Sequence, residues 1–72
     1  MPVRFRDLKR ALEALGCEVV EPASGSHWQV RREGRVFPIA AHNGLKSEIP
    51  DVYVRGACRL FAIDEASLRR KL

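Results

Sequence analysis

No stretch of the 72-residue sequence approaches the roughly 18 apolar residues a membrane-spanning helix needs. No basic segment leads into an apolar run near the start, so no secretory leader is read and a cytoplasmic protein is expected. Cysteine is scarce. Cys17 and Cys58 are the two present, and without a secretory signal they read as reduced, partly buried thiols. Histidine is equally scarce. His27 and His42 form no H-x-x-x-H pair and the cysteines no C-x-x-C, so neither a metal site nor another cofactor is expected. Repeats, low-complexity tracts and long linkers are missing too, which leaves one domain over residues 1–72. Negative charge is in short supply: nine Asp and Glu face thirteen Lys and Arg, for a net charge of +4. That surplus favours an acidic partner, nucleic acid or protein, over a membrane surface, although a merely soluble basic surface would carry it as well.

What is present describes a folded domain. Hydrophobic residues make up 46% and charged residues 31%, too apolar a mixture for a disordered chain. A chain this short hides only about 60% of its unfolded surface, so the core is thin. Arg4 to Leu15 predicts an amphipathic helix, with Phe5, Leu8, Leu12 and Leu15 on one face and Gly16 placed to end it. Cys17 to Glu21 predicts a short strand stopped by Pro22. A second strand follows from Ser26 to Arg32, a turn at Glu33-Gly34, and a third strand from Arg35 to Ala40. Pro38 cannot donate a ladder hydrogen bond, which puts that third strand at an edge. Residues 41–48 read as a loop. Pro50 and Asp51 open a second helix with the stripe Val54, Ala57, Cys58 and Phe61, and Asp64 caps a short final helix. Gly56 costs the second helix about 1 kcal/mol relative to alanine and leaves room for another element to approach closely, which the sequence alone does not establish.

The expected class is therefore α+β: an α-β-β-β-α order with a three-stranded antiparallel sheet and a short C-terminal helix. Both long helices are expected on one sheet face, through Leu8, Leu12, Trp28, Val30, Val54 and Phe61. The most informative stretch is Gly25-Ser26-His27, which delivers a histidine to the start of a strand. Period-two alternation sends Trp28 and Val30 to one face and His27, Gln29 and Arg31 to the other. From the residues alone His27 has two readings: a titratable group that works on RNA, or a turn residue that only hydrogen-bonds the backbone. Trp28 and Phe37 read as packed rather than base-stacking, and Tyr53 fits either use.

The ordered set of fragments resembles the HicA-type toxins of bacterial toxin–antitoxin systems. Arg6-Asp7-Leu8 with Leu12 and Gly16 is similar to that family's opening helix, and Gly25-Ser26-His27 to its most recognisable tripeptide. Gly34-Arg35, Val36 and the loop histidine His42 are similar to the next hairpin half, and Val54-Arg55 with Arg59 and Ile63 to the second helix. The chain departs from the pattern at Trp28, directly after the tripeptide, and at Ala40-Ala41, before His42. The resemblance implies a fold like a double-stranded-RNA-binding domain, metal-independent cleavage of mRNA (an mRNA interferase, an endoribonuclease) and a HicB-type antitoxin as partner.

In that reading His27 is the catalytic base for a ribose 2′-hydroxyl, a role that suits imidazole with its unperturbed pKa of about 6.5. Arg31, on the same strand face, is placed to stabilise the phosphoryl charge. Arg32, Arg35 and Lys46 are further RNA-binding candidates, with His42 and Ser26 as auxiliary ones; His42 is the candidate leaving-group acid. Two other classes compete: a non-catalytic RNA-binding module, and a protein-interaction domain that docks an antitoxin.

Overall fold

The computed structural model describes residues 2–72. Its elements run β1 (Val3–Arg4), α1 (Phe5–Ala14), β2 (Glu18–Val20), β3 (His27–Arg32), β4 (Arg35–Ala40), a 3-10 turn at Gly44–Lys46, β5 (Glu48–Ile49), α2 (Asp51–Phe61) and α3 (Glu65–Arg70). This is the expected α+β arrangement. The three longer strands form an antiparallel sheet in the order β2-β3-β4, so the proline-bearing strand does lie at an edge. Glu33 and Gly34 both take positive φ, 51° and 80°, as the two central residues of a type I′ hairpin turn must.

A second, smaller sheet lies outside the expected meander. Val3 pairs with Ile49 and Arg4 with Glu48 in a separate two-stranded ladder. Arg4 is therefore strand rather than helix, and residues 41–48 are more than a loop. Two-residue strands are too short to show a period. The ladder has a purpose for α1, whose N-cap Arg4 makes no side-chain bond: the Phe5 N–H donates to the Ser47 carbonyl at 2.7 Å, satisfying one of the helix's orphan donors. Ser47 is buried, and its hydroxyl accepts the Asn43 N–H at 2.8 Å.

The core is the one the apolar stripes define. Phe5, Leu8, Ala11 and Leu12 from α1 meet Val54, Ala57, Cys58 and Phe61 from α2, Leu68 from α3, and Trp28, Val30 and Ile39 from the sheet. Leu15 is only partly buried at its margin. A Cβ on Gly56 would stand 3.2 Å from the Phe37 ring, so the close approach that glycine permits is real. Cys17 and Cys58 are both unpaired and buried. Burial raises the Cys17 thiol pKa against the opposing pull of Arg32, and burial is also the main reason the Cys58 pKa is raised.

The C-terminal ends of α1 and α2 and the N-terminus of α3 are closed by specific bonds. After α1, Cys17 N–H donates to Leu12 O and Gly16 N–H to Glu13 O, with Gly16 at φ 91°. After α2 the same pattern recurs: Ile63 N–H donates to Cys58 O at 2.9 Å and Ala62 N–H to Arg59 O at 3.4 Å. The two remaining terminal carbonyls, Leu60 and Phe61, accept from the guanidiniums of Arg35 and Arg32. At α3 the Asp64 carboxylate accepts both the hydroxyl and the backbone N–H of Ser67, which hold its pKa below the ordinary range.

Ala62 ends α2 at φ 55°, ψ 40°, a left-handed conformation that suits glycine better than alanine. Ala62→Gly is accordingly expected to stabilise the protein by about 0.5–1 kcal/mol, read as a higher urea midpoint at unchanged slope. An unchanged or lower midpoint would contradict that account of the cap.

Candidate active site

The helices cover one face of the three-stranded sheet. Trp28 and Val30 point into that layer and are buried, Trp28 with its ring edge-on to Phe5 at a centroid distance of 5.0 Å. Alternation then fixes the other side. His27, Gln29 and Arg31 project from β3 onto the uncovered face and are exposed. Register adds their neighbours: Ala40, Pro38 and Val36 stand opposite them on β4, and Val20 and Glu18 lie across from Gln29 and Arg31 on β2. The face is thus a polar central row between an apolar row and a mixed one.

The histidine is held by its backbone. Gly25 turns the chain at φ 85°, and the Ser26 carbonyl accepts the Ala41 N–H at 2.7 Å, tying both strand ends together. Ser26 and His42 therefore lie at the same end of the sheet as His27. His42 is exposed in the segment that leaves β4 there, and Lys46 is exposed in the 3-10 turn that follows. On the open face the Arg31 Nη2 donates to the Gln29 Oε1 at 2.5 Å.

The structure does not bring Arg32 and Arg35 to this face. They are opposite one another across the hairpin, on the helix side, and each donates to a carbonyl at the C-terminus of α2. The alternation that placed His27 outward also sends Arg32 inward, so this separation was available in the sequence. Gln29, not singled out earlier, shares the His27 parity and carries the polar contact to Arg31. An open cleft of about 420 Å³ lies at the far end of the hairpin, lined by Gly16, Glu18, Glu33, Val36 and the three arginines Arg31, Arg32 and Arg35. His27 is not part of it. The histidine stands apart from it, exposed on the uncovered sheet face. Among the described residues no three His, Cys, Asp or Glu side chains cluster as metal ligands would, and no helix is long and apolar enough to cross a membrane.

Fold and site together define a small basic α+β protein that displays a strand-borne histidine, preceded by a glycine turn, on an uncovered sheet. Residues 5–62 match the family described as the HicA toxin of bacterial toxin–antitoxin systems, and the chain belongs to that family. Neither a curated protein nor a solved structure matches it.

Proposed function

We propose that this toxin is a metal-independent endoribonuclease, an mRNA interferase, in which His27 is the general base. The neutral imidazole takes the proton of a ribose 2′-hydroxyl. The oxygen attacks the adjacent phosphorus, the bond to the 5′-oxygen breaks, and that oxygen leaves with a proton, giving a 2′,3′-cyclic phosphate and a 5′-hydroxyl. His42, at the same sheet end, is the candidate donor of that last proton. Arg31 stabilises charge building on the phosphoryl oxygens. With Lys46, it supplies the phosphate contacts, whereas Arg32 and Arg35 fasten the hairpin to α2.

The observation that carries this reading is the outward projection of His27, beside Gln29 and Arg31, on a face no helix covers. The α-β-β-β-α order fits a domain that recognises RNA by shape and phosphate contacts. Family membership implies an antitoxin partner, and a HicB-type antitoxin is the inhibitor this reading takes. The exposed Val36 and Pro38 beside the histidine row favour a protein partner on this same face, which is compatible with inhibition by occlusion.

The chemistry makes its own test. Labelled RNA is expected to be cut equally well in EDTA and in magnesium, and a strand with a single 2′-deoxy sugar is expected to resist cutting at that step alone. Cutting that needs the divalent ion, or that proceeds at the 2′-deoxy position, would rule this mechanism out.

A further inference from the structure

Arg31 stands four residues from His27 along β3. At about 3.3 Å per residue their Cα atoms are about 13 Å apart, too far for the guanidinium to serve the histidine's phosphate unless it leans along the strand. Two polar side chains compete for it on the open face. Glu18 is directly across on β2, an opposite charge at a cross-strand position where such pairs form readily. Gln29 is two residues nearer to His27 and has no charge. The guanidinium nevertheless bonds Gln29, with Nη2 at 2.5 Å from Oε1, and makes no ion pair with Glu18 among the described residues.

We propose that Gln29 is a positioning residue, whose side-chain carbonyl holds the Arg31 guanidinium on the His27 side of the sheet face and away from Glu18. The inference rests on the nuclease reading above for its catalytic consequence, but not for its geometry. Gln29 touches no reacting atom in this account. It acts on Arg31, so its effect must vanish when Arg31 is gone. Glu18 is the competitor, and its charge supplies the sign of the effect: without Gln29 the guanidinium swings towards the carboxylate, is partly neutralised, and is withdrawn from the phosphate. Among the described residues, Glu18 is the acid on the strands of the open face, beside Val20, Val36, Pro38 and Ala40. Glu33 in the hairpin turn lines the far cleft with Arg31 and would draw the guanidinium the same way, away from His27.

Gln29→Met retains the length of the side chain and removes the acceptor. It is expected to lower kcat about tenfold, as loss of orientation for one charge-stabilising donor should, with KM moved much less. Adding Glu18→Gln to Gln29→Met is expected to restore most of the lost rate, and Gln29→Met made in an Arg31→Ala background is expected to change nothing further. A full-sized effect in that background would show that Gln29 acts by itself and would overturn the proposal, as would a Gln29→Met protein that cuts like the parent.

Failure of the nuclease reading is seen separately, in His27→Ala cutting as well as the parent. In that event the geometric claim is still decided by nuclear magnetic resonance of the Arg31 side chain. Restricted rotation about its guanidinium in the parent, released in Gln29→Met, supports the contact. Free rotation in both proteins refutes it.

Discussion

Replacing His27 by alanine is expected to lower the rate of RNA cleavage by about 10²–10⁴-fold, the usual contribution of a positioned general base, with folding left intact. Structure explains why the two effects separate. His27 is exposed, and what fixes the strand end at this point is main chain: the Ser26 carbonyl with the Ala41 N–H, and the pairing of His27 with Ala40. An alanine keeps all of that, and the change in stability should stay within about 0.5 kcal/mol. Three measurements decide it together: a cleavage time course on labelled RNA, a thermal melt, and affinity for an RNA blocked at the 2′ position. Lost cutting with the melt and the affinity retained supports the enzyme. Equal cutting by both proteins ends the case for His27, and failure of both to cut, with binding intact, favours the RNA-binding module. Induced in a host, the parent is expected to arrest growth and the variant to relieve the arrest.

The residue next along the strand gives the largest effect on stability. Trp28→Ala is expected to cost about 3–5 kcal/mol, through lost apolar burial and the cavity that remains. Trp28 is 6% exposed, and its ring meets Phe5, itself fully buried in the first turn of α1. A single core in a chain below about 70–80 residues rarely supplies more than about 3–5 kcal/mol in total. The substitution therefore consumes most of the margin, and much of the protein should be unfolded at 25 °C. Trp28→Phe, which keeps an aromatic ring in place, should lose far less. Urea melts followed by circular dichroism give both values. A cooperative Trp28→Ala transition near the parent midpoint would show that α1 and β3 are joined by something other than this contact.

The neighbouring positions 27 and 28 show why so much was legible in the sequence. A strand with one buried face must alternate, and a helix with one buried stripe must repeat every three or four residues. The buried set Leu8, Leu12, Trp28, Val30, Val54 and Phe61 follows from those two periods alone. Turn chemistry carried the hairpin at Glu33-Gly34 and the exit at Gly16, because positive φ restricts which residues can stand there. What was not legible depended on contacts distant in sequence. The ladder of Val3 and Arg4 with Ile49 and Glu48 joins segments more than forty positions apart and has no local signature. Arg32 and Arg35 look in the sequence like a basic hairpin tip awaiting phosphate. Only the position of the α2 terminus reveals acceptors for them. The bond from Arg31 to Gln29 needed side-chain placement as well as parity.

Pro38 has an effect on what this molecule can polymerise into. Because Ala41 donates to Ser26, the odd-numbered residues of β4 turn their polar groups towards β3, and the even-numbered ones turn theirs to the free side. The missing N–H of Pro38 thus falls midway along the outer margin, between Val36 and Ala40. An incoming strand from a second copy would meet an interrupted row of donors there, so open-ended, fibril-like stacking is blocked along that border. An apolar, uncovered surface can then persist beside the histidine without seeding aggregates strand upon strand.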